Sequence, residues 1–323
     1  MTGGVTGGAE TLGPTGPVEE ALGALETERR NEAHSDLDLW AVRDIVAAMN
    51  ALDAGVVEAV GACTDEITAA IELIVAGQRA GGRLIYAGAG TAGRLGVLDA
   101  AECGPTFSVA PDRVQAVVAG GMDAVTAPVE AAEDDHGAGA EEMATLGVGP
   151  QDVVVGISAS GRTPFVLGAV EAARARGAAT VGLTSNEGSA LSAMADVGID
   201  IATGPELIAG STRLKAGTAQ KLVLNMLSTI SMIRLGRTYG NLMVDVRVSN
   251  DKLRTRAAGI VSEITGASPA DALGALEAAG GRAKVATVMI AGGLDADGAA
   301  ELLNAHDGHL RAALADERGD RQP

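Results

Sequence analysis

The stretch that decides the fold reads Leu84-Ile-Tyr-Ala-Gly-Ala-Gly-Thr-Ala-Gly-Arg94. A short apolar run breaks into a glycine-rich turn, and a helical pattern follows. Glycine lets the backbone approach a ligand closely, and the first turn of a helix offers an anion N–H groups that have no intrahelical partner. Taken alone, the turn has a plainer explanation, since a tight strand-to-helix turn also needs glycine.

A second loop downstream has the same layout. Gly156-Ile-Ser-Ala-Ser-Gly-Arg-Thr-Pro164 follows another apolar run. Pro164 suits the first helical position and Thr163 the N-cap, so part of this loop is ordinary helix initiation. Capping does not explain the two further serines. Two anion-cradling turns predict that a phosphorylated small molecule binds between them. The predicted binding residues are Gly90, Thr91, Ser158, Ser160, Gly161 and Thr163.

Short apolar runs alternate with helical stretches from Leu84 onward. This alternation predicts an α/β fold in which a parallel sheet is sandwiched by helices, with helices before it and a small helical domain after it. The two loops follow the first and third strands, and ligands of such sheets bind at the carboxyl ends of the strands. The predicted strands are Leu84–Ala87, Val114–Val118, Val153–Ile157, Thr180–Leu183 and Val197–Ile201.

Composition shifts divide the chain into five predicted parts. A Gly- and Thr-rich start without periodicity predicts a disordered tail. The predicted parts are this tail (1–24), N-terminal helices (25–73), the α/β domain (74–237), a connecting segment (238–265) and a small helical domain (266–318). Within them, Ala219 to Leu235 predicts a long buried or interfacial helix. The last unit predicts helices over Ala272–Ala279, Ala283–Ala291 and Ala296–Leu314.

The charge balance restricts the partners of this 323-residue chain. Its formal net charge of −18 argues against nucleic acid and against an anionic membrane surface. Cys63 and Cys103 are too few for a disulfide framework or a structural zinc site. We find no run that spans a bilayer by length and apolarity and no signal-peptide layout, so we expect a cytoplasmic protein.

Cofactor motifs are incomplete. Gly88-Ala-Gly-Thr-Ala-Gly93 fits the dinucleotide fingerprint, but that fingerprint also requires an acidic residue at the tip of the second strand. The second strand here continues as Val117-Val-Ala-Gly-Gly121 without one. There is no phosphate-binding P-loop and no nucleophile elbow, and the four histidines are scattered. We therefore expect neither a nicotinamide cofactor nor a metal.

Two carboxylates are candidates for acid–base chemistry. Glu102 ends an apolar helical pattern just before a turn, where a carboxylic acid can serve as a proton donor. Glu133 lies in an acidic run, Glu130-Ala-Ala-Glu-Asp-Asp135. The plainer alternatives are a solvated helix-end acid and a solvated acidic face. Sequence spacing does not decide whether the two carboxylates meet.

Several strings, in order along the chain, together resemble the N-acetylmuramic acid 6-phosphate etherase family. The resemblance runs from about Thr27 to about Leu314. The strings are Thr27-Glu-Arg-Arg-Asn31, Gly88-Ala-Gly-Thr-Ala-Gly-Arg94, Leu98-Asp-Ala-Ala-Glu-Cys103, Val129-Glu-Ala-Ala-Glu-Asp134, Ala159-Ser-Gly-Arg-Thr-Pro164, Lys215-Ala-Gly-Thr-Ala-Gln-Lys221 and Gly240-Asn-Leu-Met-Val-Asp245.

The resemblance implies a sugar isomerase (SIS) domain, a homodimer, and cleavage of the D-lactyl ether of N-acetylmuramic acid 6-phosphate to give N-acetylglucosamine 6-phosphate and D-lactate. By motif, it places the acid–base glutamates at Glu102 and Glu133. The chain departs from the family where Ala92 and Gly104 replace the usual serine and proline. Ser158, often alanine in the family, supplies another hydroxyl.

Two other classes of protein would use the same loops. The glucokinase regulatory protein shares the fold but binds phosphosugars to control a partner, and an aldose–ketose isomerase would act on a phosphosugar without releasing lactate. Retention of both glutamates favours the etherase, and D-lactate release distinguishes it from both rivals.

Overall fold

A five-stranded parallel sheet forms the centre of the computed structural model, which describes residues 25–246, 248 and 250–319. The strands are β1 (Leu84–Gly88), β2 (Val114–Val118), β3 (Val153–Ile157), β4 (Ala179–Thr184) and β5 (Val197–Asp200). Their order across the sheet is β2-β1-β3-β4-β5. Each predicted strand is confirmed, with its ends shifted by at most one residue. The tail predicted over 1–24 lies outside the described residues.

Helices cover both faces of the sheet. Those before and within it are α1 (Val42–Ala62), α2 (Thr64–Arg79), α3 (Gly90–Phe107), α4 (Asp123–Thr126), α5 (His136–Thr145), α6 (Pro164–Ala175), α7 (Ala190–Met194) and α8 (Lys215–Arg234). Those after it are α9 (Asp251–Thr265), α10 (Pro269–Ala278), α11 (Ala283–Gly292), α12 (Ala296–Ala305) and α13 (Leu310–Gly319). Short 3-10 turns lie over Glu26–Glu28, Glu32–His34, Leu37–Leu39 and Ala132–Asp134.

The two faces of the sheet carry separate apolar layers. In β1 the fully buried side chains alternate, with Leu84 and Tyr86 packed in the layer of α2, α3 and α8. Ile85 and Ala87 pack in the opposite layer, with α5 and α6. Successive strand residues point to opposite faces, so a strand buried on both sides has a continuous apolar sequence.

The two predicted binding loops are neighbours in space. β1 pairs with β3 in parallel, and Gly88 lies opposite Ile157. Each loop therefore leaves the sheet at the same edge, beside the other. β1 also pairs with β2 on its other side. The strand order therefore runs outward in one direction from β1 to β2 and in the opposite direction from β3 to β5, with the change between β1 and β3. Ligands of open α/β sheets bind at such a switch point.

Helix α1 is apolar yet largely exposed. Val42, Val46 and Val57 are between 63% and 78% exposed, while Val56 and Val60 are buried. The expectation that no segment has the length and apolarity of a membrane span was therefore wrong, since α1 has 21 residues and a mean hydropathy of 1.5. A single helix of this kind is weak evidence for a membrane span, because an apolar helix of a water-soluble domain meets the same criteria.

The C-terminal helices form a second unit with its own core. That core includes Val244 and Val261, so α9 belongs to the helical unit although it falls within the predicted connecting segment 238–265. The helix predicted over Ala296–Leu314 is also divided in two. Asp307 and Gly308 adopt positive φ (51° and 71°) between α12 and α13, and this left-handed backbone ends a helix.

Candidate active site

The first loop turns directly from strand into helix. Ala89 at the N-cap of α3 makes no side-chain cap, so the amides of the first turn are left for a ligand. Close packing explains two of the glycines. A Cβ on Gly93 would lie 2.7 Å from the Gly88 carbonyl oxygen, and one on Gly88 would lie 2.6 Å from the Gly93 nitrogen. The glycines of this loop therefore both permit a tight strand-to-helix turn and leave backbone amides accessible to a ligand.

The second loop is organised around the Ser158 hydroxyl. Ser158 is buried, and its Oγ lies 2.7 Å from Thr163 Oγ1 and 3.3 Å from Ser160 Oγ. It also accepts a hydrogen bond from the Gly161 N–H at 3.0 Å. Thr163 occupies the N-cap position of α6 without capping it, because its hydroxyl contacts Ser158 instead. Within the described residues, the first turn of α6 keeps the Phe165 amide for a ligand, because Pro164 has no N–H group and the Val166 N–H donates to the Thr163 carbonyl.

Both loops open into one cavity of about 530 Å³. It holds six of the eight predicted site residues: Gly90, Thr91, Glu133, Ser158, Ser160 and Thr163. Gly161 does not line the cavity and instead shapes the turn. Its φ is +66°, and a Cβ there would lie 2.3 Å from Ser189 Cβ, so the turn excludes a side chain.

Glu133 reaches the cavity from a short connection. It lies in the 3-10 turn Ala132–Asp134, which follows Ala131 at a φ of +61°. Asp135 then begins α5 by accepting a hydrogen bond from the Ala138 N–H. The acidic run therefore has two roles, because Glu133 and Asp134 line the cavity whereas Asp135 caps a helix.

Glu102 does not lie in the cavity of its own chain. It is exposed on α3, twelve residues after Gly90, which places it about 18 Å along the helix axis at 1.5 Å per residue. Leu98, one turn earlier on the same helix, is 50% exposed. Within one chain, the structure therefore separates the two predicted catalytic glutamates.

A buried polar network lies beside this part of α3. Asp99 is buried and accepts hydrogen bonds from Tyr86 at 2.8 Å, Asn225 at 2.7 Å and Ser228 at 3.2 Å. Burial raises the pKa of Asp99, although the three hydrogen bonds oppose the shift. Burial likewise raises the pKa of the Cys103 thiol to about 12. The network joins α3 to β1 and α8, and Cys103 is an unreactive thiol.

Sequence reasoning missed several residues that line the cavity. They are Glu28, Asp134, Arg162, Thr212 and Gln220. Two of them belong to strings that carried the family resemblance without an assigned role, namely Thr27-Glu-Arg-Arg-Asn31 and Lys215-Ala-Gly-Thr-Ala-Gln-Lys221. Neither string is adjacent to a glycine loop, so no local pattern indicated that they reach the site.

Other binding features are occupied by the protein itself. The N-terminus of α8 is closed by Glu206, whose carboxylate accepts hydrogen bonds from the N–H groups of Lys215 and Ala216. The Lys215 ammonium donates to the Thr203 carbonyl. Within the described residues, no group of three or more His, Cys, Asp or Glu side chains is placed to hold a metal ion.

Comparisons with known proteins give a SIS domain by family model and one family of relatives by sequence identity. Residues 66–174 match a model described as "Glucokinase regulatory protein N-terminal SIS domain", and residues 125–230 match one described as "SIS domain". A Rubrobacter xylanophilus protein named N-acetylmuramic acid 6-phosphate etherase is 56% identical, over 93% of this chain and 99% of its own. A protein of the same name from Streptomyces avermitilis is 55% identical, over 92% and 96% respectively.

Proposed function

This chain belongs to the N-acetylmuramic acid 6-phosphate etherase family, and we propose that the cavity between the two loops is its active site. The enzyme is a carbon–oxygen lyase that converts N-acetylmuramic acid 6-phosphate and water into N-acetylglucosamine 6-phosphate and D-lactate. The observation that carries the site assignment is that the N-termini of α3 and α6, neither capped by a side chain, and the three hydroxyls of the second loop face the same space as Glu133. Such a set binds a phosphate and leaves a carboxylate for the sugar.

The reaction needs two proton transfers in the elimination, two in the addition of water, and no electron transfer. The open-chain aldehyde acidifies the hydrogen on C2, and a base removes it while the C3–oxygen bond breaks. A protonated carboxyl group gives its proton to the ether oxygen, and lactate leaves. Water then adds to C3 of the unsaturated aldehyde and a proton returns to C2. We assign Glu102 to the ether oxygen and Glu133 to the proton transfers on the opposite side of the sugar.

The separation of the glutamates supports a homodimer in which each site takes Glu102 from the other copy. Glu102 lies one turn from exposed Leu98 on α3. Neighbouring α8 exposes Ile230 and Ile233, and α1 exposes a row of valines. A two-fold interface built on this apolar face buries it and carries Glu102 to the partner's cavity.

A phosphorylated sugar is charged and does not cross a membrane unaided, so the substrate stays in the compartment where it is formed. We therefore place the enzyme in the cytoplasm.

The release of D-lactate tests the assignment. Purified protein supplied with N-acetylmuramic acid 6-phosphate should release D-lactate, and Glu133→Gln should lower kcat by about 10²–10⁴-fold, the range for a lost general acid–base group. Asp134→Asn, at the neighbouring cavity residue, is the matched control. Phosphosugar binding without lactate would instead favour a regulatory protein, and interconversion of aldose and ketose would favour an isomerase.

A further inference from the structure

One buried amide on the cavity wall has no partner. Gln220 on α8 lines the cavity and is 1% exposed, yet its Nε2 makes no hydrogen bond within the part of the chain that the structure describes. A buried donor without an acceptor is destabilising, and native proteins rarely keep one without a use for it. A bound molecule that presents an oxygen here would satisfy the amide.

A carboxylate reaches the same cavity from the far N-terminal end of the described chain. Glu28 lines the cavity and belongs to residues 25–31, which we call the strap. Thr27 anchors the strap, because its hydroxyl accepts a hydrogen bond from Asn186 Nδ2 at 3.0 Å and its carbonyl accepts one from the Gly210 N–H at 3.2 Å. Asn186 Nδ2 also donates to the Ala159 carbonyl of the second loop at 2.8 Å.

Through Asn186, the strap therefore holds Glu28 at a fixed position relative to the second loop. Thr27 is completely buried, so the docked position of the strap is fixed by packing as well as by hydrogen bonds. Among the described residues, no side chain forms a hydrogen bond or an ion pair with the Glu28 carboxylate. The exposed Glu28 carboxylate on the strap and, among the described residues, the buried unpartnered Gln220 amide on α8 thus both reach the cavity from outside the two loops.

The charges decide what these two groups contact. A carboxylate repels a phosphate, so Glu28 does not share the phosphate cradle. It accepts hydrogen bonds from neutral donors, which in an amino-sugar phosphate are hydroxyl groups and the acetamido N–H. The Gln220 amide is uncharged and can donate to any oxygen, and its position on α8, outside the two phosphate-binding loops, places it toward the sugar. Together they suit the uncharged body of the sugar.

We propose that Glu28 and Gln220 are binding residues that recognise the uncharged hydroxyl and acetamido groups of the sugar, while the two loops hold its phosphate. The proposal rests on the proposed function of the cavity. It adds two binding residues from segments far apart in sequence, and it assigns the strap a direct part in substrate selection.

Binding measurements with two probes test this proposal. Dissociation constants for N-acetylglucosamine 6-phosphate and for inorganic phosphate are measured by calorimetry on wild type, Glu28→Gln and Gln220→Met. We expect the sugar phosphate to bind about 10-fold more weakly to each variant, with phosphate affinity unchanged, since only a contact to the neutral sugar is lost. Gln220→Met should also leave the melting temperature unchanged or raised, because it removes an unsatisfied buried donor.

Matched variants exclude indirect effects. Glu32→Gln changes an exposed carboxylate just beyond the strap, and Ser231→Ala removes another unpartnered buried group of α8 that does not line the cavity. Both should bind the two probes as wild type does. Unchanged sugar-phosphate affinity in Glu28→Gln and Gln220→Met, or equal losses for both probes, would overturn the proposal. A wild-type protein that binds the sugar phosphate but releases no D-lactate would count against the proposed function instead.

Discussion

At the scale of single residues, hydroxyl groups shape the second loop. Ser158 is buried and contacts Ser160, Gly161 and Thr163, so it serves to fix the loop. Ser160 and Thr163 are only half-buried and remain accessible to a ligand. The three hydroxyls of this loop thus have different roles, because the buried Ser158 stabilises the loop whereas the half-buried Ser160 and Thr163 can contact a ligand.

Ser160→Ala should raise KM by about 10–100-fold with little change in kcat, because a hydrogen bond to a charged phosphate is worth about 1.5–3 kcal/mol. Steady-state kinetics of D-lactate release measure this change. Ser192→Ala, on α7 outside the cavity, is the control. An unchanged KM in both Ser160→Ala and Thr163→Ala would contradict the assignment of this loop as a phosphate-binding loop.

Asp152 controls stability at acid pH. Burial alone would raise its pKa, but hydrogen bonds from the Arg83 guanidinium and from the N–H groups of Gly149 and Arg83 outweigh this and hold the pKa below its usual value. A lowered folded-state pKa adds stability above the unfolded-state pKa of about 3.9, and this is lost as pH falls through the folded-state pKa.

Asp152→Asn should therefore lower the free energy of unfolding at pH 7 by about 3 kcal/mol, since it leaves the half-buried Arg83 without its counter-charge. Below pH ~4 the difference from wild type should shrink. Urea unfolding at both pH values measures it, with Asp38→Asn as an exposed control. An equal difference at both pH values would contradict the role given to this ion pair.

At the scale of elements, α3 has a different task at each end. Its first turn contributes amides to the cavity, and its last turns carry Glu102 on the exposed side. The buried Asp99 network fixes the helix against β1 and α8 between these two points. One helix thus contributes amides to the phosphate site of its own chain and, in the dimer that we propose, carries Glu102 into the cavity of the other copy.

Charge substitutions on α1 and α8 test that face. Val46 is 63% and Ile230 38% exposed, so Val46→Asp and Ile230→Asp should fold as wild type. Burying a carboxylate in the interface should weaken the dimer by at least about tenfold in Kd. Sedimentation equilibrium measures the effect, and Leu273→Asp on α10 is the control. Dimers that remain equally stable in both variants would place the interface elsewhere.

At the scale of the whole molecule, the dimer proposal predicts complementation between two inactive variants. Glu102→Gln and Glu133→Gln are each expected to be nearly inactive alone. Co-folded in equal amounts, they should recover about one quarter of the wild-type activity, because half of the dimers are mixed and one of their two sites receives both intact glutamates. Activity of the mixture is compared with the separately folded variants. No recovery would mean that both glutamates act within one chain.

Local features were predictable from the sequence. Five strands, two binding loops and six cavity residues follow from apolar runs, glycines and hydroxyls that lie close together along the chain. These signals are local, because strand burial, tight turns and helix N-termini depend on a few neighbouring residues. The order of strings along the chain also sufficed to indicate the family.

Only the tertiary structure decided which distant residues share the cavity. Glu28 arrives there through a contact between Thr27 and Asn186, which are 159 positions apart, and Gln220 arrives because α8 packs beside α3. The same packing leaves Glu102 on the exposed side of α3, away from Glu133. Such placements depend on how helices pack against the sheet over long sequence separations, and no periodicity or motif within the chain encodes that packing by itself.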